Sequence, residues 1–240
     1  MNHPLPLNQA VEATRARVCS GDVAFTLFRS SQKIGKKIFL EGGRLCKSPL
    51  GEMCGGTHER KAFSTLSEFA AYLEAADSTT GFTFGVFDQV SGPVVTKKEK
   101  PLHPGSVART LDDMHWSSGP GVFLFDYDPA EGEPTLSKDE LVQLVRGACP
   151  FLADVALLWR ASASSYIRNT ETNGMMQGLA GQRLYFIVDH AGQIPRIGKV
   201  IFSRLWLAGH GRYDLARSGA LLLRSLCDAA VWQPNRFDFV

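Results

Sequence analysis

The sequence contains no stretch approaching the ~18 consecutive apolar residues that a membrane span requires. Its five cysteines form no Cys-x-x-Cys pair and follow no regular framework, a pattern that fits thiols kept reduced rather than a disulfide scaffold. No G-x-x-x-x-G-K-[ST] loop is present, so this chain carries no nucleotide-driven motor of its own. Internal repeats, heptad runs and low-complexity tracts are also missing. The opening residues, Met1-Asn2-His3-Pro4-Leu5-Pro6, lack the basic and apolar regions of a signal peptide. Together these absences lead to the expectation of a cytoplasmic protein with no membrane partner.

What remains is an ordinary globular composition. The chain has 240 residues, 44% hydrophobic and 21% charged, enough for one large domain or two coupled subdomains. A net charge of +2 hides an uneven distribution. Residues 1–60 hold nine Lys+Arg against five Asp+Glu, residues 61–150 seven against thirteen, and residues 151–240 ten against six. An acidic middle flanked by basic ends suits metal-assisted chemistry on a polyanion, where cations answer the carboxylates and Arg and Lys hold phosphates. Solvated faces with a chance asymmetry would look the same.

Periodicity places a short helix over 7–18, a strand pair over 23–29 and 37–40, and a Gly-, Cys- and charge-rich loop over 41–61. Thr65 followed by Glu68 makes a capping box that opens a helix over 65–76, with Leu66, Phe69, Ala70 and Leu73 on one face. A strand is expected over 82–87. Three prolines and three lysines mark 91–105 as a linker, which divides an N-terminal subdomain (1–105) from a second one (106–240). The second half reads as a strand over 121–128, a helix over 137–147 announced by Ser137 and Glu140, strands over 155–160 and 183–188, and a helix over 197–207. That order predicts an α+β fold, with helices packed on one face of a mostly antiparallel sheet.

The sharpest chemical feature is Phe123-Leu124-Phe125-Asp126-Tyr127-Asp128-Pro129. Side chains alternate along a strand, so Asp126 and Asp128 point to one side, at the end of a buried run. Two carboxylates so placed repel unless a cation lies between them, and a pair of divalent ions clamping a phosphoryl transfer is a common solution. A strand that simply ends in solvated aspartates is the plainer alternative. Downstream, Ser162, Ser164 and Ser165 follow an apolar strand, where small hydroxyl residues often grip phosphate. Gly178-Leu179-Ala180-Gly181 then leads into Arg183, and Arg224-Ser225-Leu226-Cys227-Asp228 and Gln233-Pro234-Asn235-Arg236 follow near the end.

With these motifs the chain resembles the archaeo-eukaryotic primase superfamily, and within it the primase–polymerase domains of primase–helicase proteins carried by prophages and other mobile elements. The resemblance covers most of the chain. It is strongest from Gly121 to Phe239, where Leu205-Trp206-Leu207-Ala208-Gly209-His210-Gly211 and Asp228-Ala229-Ala230-Val231-Trp232-Gln233-Pro234 look like signatures of that subgroup. It implies a primase–polymerase core: an RRM-like, mostly antiparallel sheet packed by helices, plus an N-terminal α/β subdomain. The family's first motif, an acid–x–acid strand end, matches Asp126 and Asp128. Its third, a lone acid after an apolar residue, matches Asp228, with Asp189 of Ile187-Val188-Asp189 as the competitor. In the family these acids bind two Mg²⁺ or Mn²⁺. The second motif departs from the usual Ser-x-His: no histidine follows the serines, and Arg183 or Arg168 is left for the cation's role. Ser164, Ser165, Arg183 and Arg236 are thus the expected nucleotide contacts.

Two weaker signals complete the reading. Lys33, Lys36, Lys37 and Arg109 are candidate contacts to DNA phosphates, each with a solvated or ion-paired alternative. Cys46, Cys54 and His58 share the loop expected over 41–61, but without a Cys-x-x-Cys pair or an evident fourth ligand zinc is not expected. The function implied is template-directed primer synthesis from nucleoside or deoxynucleoside triphosphates on single-stranded DNA, with a replicative helicase in the same or a separate chain. The alternative is an inactive replication-initiation or DNA-binding module of the same fold.

Overall fold

The computed structural model describes residues 21–129, 133–216 and 218–239; the helix expected over 7–18 lies outside them. The elements in chain order are β1 (Val23–Ser30), β2 (Gly35–Glu41), β3 (Arg44–Gly51), β4 (Gly55–Phe63), α1 (Leu66–Glu74), β5 (Thr80–Thr83), β6 (Ser91–Val95), β7 (Gly121–Tyr127) and α2 (Lys138–Ala148). There follow β8 (Leu158–Ala161), β9 (Ile167–Arg168), β10 (Met175–Gln177), β11 (Gln182–Val188), α3 (Ile194–Leu205), β12 (Arg212–Leu215), β13 (Leu221–Arg224) and β14 (Asp238–Phe239). This is a mixed α+β fold, and its named strands pair antiparallel throughout.

The strands form a five-stranded sheet in the order β14-β5-β1-β4-β6, a three-stranded sheet in the order β7-β11-β8, and three two-stranded ribbons. A single cluster of buried side chains joins the two main sheets, drawing on Phe25, Phe63 and Phe82 from the first and Phe123, Phe125 and Tyr185 from the second. Residues from both sides of the stretch 91–105 therefore share one core. Phe69 of α1 is the wedge between them, with its ring 5.6 Å from Phe25, 4.9 Å from Phe63 and 5.5 Å from Tyr185. On the far side of the three-stranded sheet, Phe123 stacks on Phe186 at 4.6 Å and meets Trp232 at 5.7 Å. Each such ring, fully buried, stabilises the fold by about 1.5–3 kcal/mol.

The helices begin where the capping chemistry announces them. Thr65 accepts from the Glu68 amide at the start of α1, and Ser137 and Glu140 form a reciprocal capping box on α2. Helix α3 starts three residues earlier than expected because Pro195 suits a first turn.

Three expectations are corrected. The strands over 23–29 and 37–40 do not pair with each other: β1 lies between β4 and β5, and β2 pairs only with β3. The stretch 41–61 is not a loop: Gly42 and Gly43, both at positive φ (56° and 78°), make a two-residue turn that pairs β2 with β3, and β4 follows directly. Nor is 91–105 only a linker, since β6 pairs with β4 at the sheet edge, the one place where Pro93 leaves no ladder bond unmade.

His58 lies within β4, so the expected Cys46–Cys54–His58 loop grouping dissolves. The imidazole is 2% exposed, 4.5 Å from the Phe87 ring, and neither ring nitrogen has a hydrogen-bond partner among the described residues. Burial, aided by the Arg60 charge, holds its pKa below the ordinary 6.5. A depressed histidine pKa means the unfolded chain takes up the proton first, so this contribution to stability is complete above 6.5 and lost as pH falls below it. Asp77, held down to about 2 by the Thr79 hydroxyl and amide, titrates well under that window. The melting temperature is expected to fall between pH 7 and pH 5, and to fall much less in His58→Leu. Equal slopes for the two proteins would rule out His58 as the source.

Candidate active site

Strand β7 delivers the acidic pair. Asp126 is its penultimate residue and Asp128 lies just beyond its end, both on the face that looks toward the five-stranded sheet. On that face β11 sets Arg183 directly opposite Asp126, and β8 sets Arg160 opposite Arg183, giving a lateral row of acid, cation and cation.

Asp228 joins them from the other edge. Tyr127 and Cys227 form an antiparallel bridge, and the Asp228 amide donates to the Asp126 carbonyl at 3.0 Å. Asp228, about a hundred residues further on, thus has its backbone set beside that of Asp126 at the strand end that carries the pair. Asp189 does not: Val188 pairs with Gly121 at the opposite end of β7, about 20 Å away over a seven-residue strand. Of the two third-motif candidates, only Asp228 neighbours the pair.

The arginine expected to fork across phosphates has other partners. Arg183 Nη1 lies 2.5 Å from Asp238 Oδ1 and donates to the Phe239 carbonyl at 2.8 Å, while Nε lies 3.4 Å from Asp126 Oδ1. Tyr185 donates its hydroxyl to Asp238 Oδ2 at 2.9 Å. Burial works against the Arg183 charge, but Asp238, with Asp126, holds it firmly protonated above its ordinary range. Burial also raises the Asp126 carboxyl, and Asp128 and Asp238 push it the same way against the pull of Arg183. Arg183 is therefore the internal counter-ion of this cleft, and its partner is Asp238, which nothing in the sequence singled out. The only cue was Phe237-Asp238-Phe239, an acid between two aromatics.

The serines are likewise engaged. Ser164, 4% exposed, shares a hydrogen bond with Ser162 Oγ at 2.9 Å. Ser165 Oγ donates to the Gly181 carbonyl at 3.0 Å and accepts from the Ala180 amide at 3.0 Å. They brace the 178–181 loop against β8 instead of presenting free hydroxyls. Gly181 packs closely there: a Cβ would lie 2.5 Å from Asp128 Oδ1 and 2.7 Å from Ser162 Oγ, so both side chains would have to shift. Arg236 is the open cation of the site, half exposed and 4.0 Å from Asp228 Oδ2. Arg160 Nη1 is buried without a partner among the described residues. Arg168 lies on the separate β9–β10 ribbon and donates to its own turn.

Of the expected DNA contacts, Lys36 and Lys37 lie exposed on β2 and Lys33 lies exposed just before it. Arg109 is different: it donates to the Asn235 carbonyl at 2.8 Å and covers the Phe237 ring at 5.1 Å, clasping the 233–237 turn.

Carboxylate oxygens are the donors a hard divalent cation takes, and burial first, then Asp128 and Asp238, raises the Asp126 carboxyl at this strand end. The side chains do not yet converge on a point. Asp228 Oδ1 accepts from the Ala230 amide and caps the short turn 229–231, and among the described residues no group of three or more His, Cys, Asp or Glu is gathered around one position.

No protein-family model, no curated protein and no solved structure matches the chain. No helix of the described residues is long and apolar enough to cross a membrane.

Proposed function

We propose that this chain is a metal-dependent nucleotidyltransferase of the primase–polymerase kind, which builds primers on a single-stranded DNA template. The observation that carries the reading is the placement of the Asp228 backbone beside the Asp126–Asp128 strand end, through the Tyr127–Cys227 bridge. The three-stranded sheet with α2 and α3 on one face suits the catalytic half of an RRM-like core. Asp126 and Asp128, with Asp228 beside them, would hold Mg²⁺ or Mn²⁺, which when bound would neutralise the triphosphate and the developing charge.

The remaining work belongs to the chain itself. The 3′-hydroxyl oxygen bonds to the α-phosphorus in line with the departing pyrophosphate, whose bridging bond breaks, and the hydroxyl proton passes to water. No side chain becomes a covalent nucleophile. Arg236 is placed to meet the triphosphate from the open side, and Arg183 pulls Asp126 toward its charged form, against burial, and orients it. A helicase in the same or a separate chain would supply unwound template.

The Asp228 cap favours a second reading, an inactive DNA-binding module of the same fold. One assay decides between them: the purified chain is incubated with single-stranded DNA, labelled ribo- and deoxynucleoside triphosphates, and Mg²⁺ or Mn²⁺. Extended products that vanish on chelation are expected. DNA binding without products, under either metal and with either sugar, overturns the catalytic reading.

A further inference from the structure

Strands β2 and β3 pair only with each other, and their residues are exposed or half-exposed on both faces. Register assigns the faces: Lys37, Phe39, Arg44, Cys46 and Ser48 lie on one, and Lys36, Ile38, Leu40, Lys47 and Pro49 on the other. Residues 35–51 thus carry four cations against one acid, Glu41, with cations on each face. Among the described residues none of the four is ion-paired within 4.0 Å, whereas Lys61, Lys97 and Lys100 elsewhere all are. Phe39 is 36% exposed with Lys37 Nζ 5.6 Å over its ring, and Leu40, on the other face, and Leu50 are exposed as well. A protruding ribbon with unanswered cations and uncovered apolar side chains has a polyanion as its electrostatic complement.

The root of the ribbon lies next to the acidic site. Gly35 sits against Phe239, whose ring would be 3.5 Å from a Cβ placed there, and the Phe239 carbonyl accepts from Arg183, the neighbour of Asp126. A strand lying along the ribbon is therefore led toward the acidic strand end.

We infer that the β2–β3 ribbon is the grip for single-stranded DNA, with Lys36, Lys37, Arg44 and Lys47 on its phosphates and Phe39 stacked under an unpaired base. An exposed aromatic needs a base that is free to stack, which a single strand offers and a duplex does not. This rests on the proposed function only in expecting a nucleic-acid partner.

The test is fluorescence anisotropy of labelled oligo(dT), and of the same strand in duplex, titrated with the full chain between about 50 and 200 mM salt. Combining Lys36→Ala, Lys37→Ala, Arg44→Ala and Lys47→Ala is expected to lower affinity by about tenfold or more and to flatten the salt dependence by roughly 0.7 for each lost phosphate contact. Phe39→Ala should lose about fivefold or more with an unchanged salt slope, Phe39→Trp should retain binding, and the duplex should bind more weakly than the single strand. Should the combined alanine variant melt early, the all-arginine version of the lysines serves in its place and should keep the wild-type slope. An unchanged slope in the alanine variant, an unaffected Phe39→Ala, or tighter binding of the duplex each overturns the inference. Binding and synthesis are measured separately: ribbon-dependent binding without synthesis by the wild type removes the polymerase reading alone, and synthesis with ribbon-independent binding removes this one alone.

Discussion

Replacing Asp238 with asparagine is expected to destabilise the fold by about 3–5 kcal/mol in urea unfolding, the usual cost of removing one member of a buried ion pair. Asp238 is 3% exposed and faces Arg183 at 2.5 Å while accepting from Tyr185 at 2.9 Å. The neutral amide keeps the shape but leaves the Arg183 guanidinium to the Phe239 carbonyl and to Asp126 at 3.4 Å. Arg183→Ala should behave in kind, with a large loss of stability instead of a selective rise in KM for nucleotide. The double variant should then cost less than the sum of the singles by about 1–3 kcal/mol, the signature of two groups in one network. Additive losses, or a loss under about 1 kcal/mol for Asp238→Asn, would show that Arg183 finds adequate compensation without this partner.

The second large effect is on turnover. If the proposed function holds, Asp126→Ala and Asp128→Ala should each lower primer synthesis at least about a thousandfold, roughly 4 kcal/mol of transition-state stabilisation, with the fold retained. Asp128 is exposed, and loss of the Asp126 carboxylate leaves Arg183 its closer partner Asp238. Asp228→Ala should be similarly inactive and Asp189→Ala nearly wild type, because Asp189 lies beyond the far end of the strand. Product yield per unit of folded enzyme is the measurement. Near-normal synthesis by Asp126→Ala would remove the strand end from the chemistry, whereas an inactive Asp189→Ala would reverse the choice of third acid.

How far the sequence announced this architecture depended on where the deciding contacts lie. Strand β7 and helices α1 and α2 were legible because their signals are local: a four-residue apolar run closed by acids, and caps three residues from their glutamates. The β2–β3 ribbon was half hidden. A strand buried on neither face shows no alternation of apolar and polar residues, and Gly42-Gly43 read as loop when it is the hairpin turn. Strand β6 was masked by its proline, which only an edge position tolerates. The acidic pair could be named from one heptapeptide, but the fate of Arg183 could not. Its partner arrives on a two-residue strand distant in sequence, and nothing local to Arg183 distinguishes a phosphate ligand from a buried counter-ion.

That two-residue strand has a consequence for how the molecule is made. Asp238 and Phe239 pair with Phe82 and Gly81 along β5, so the first sheet is completed by residues from the other end of the described chain. During synthesis at about 5–20 residues per second, β5 is an open strand edge for on the order of ten seconds before its neighbour exists. Pairings that distant in sequence are slow to form, and an unpaired edge carrying Phe82 invites association with other nascent chains in the interval. Yield on expression should accordingly respond to temperature and chaperone supply more steeply than the stability of the finished protein does.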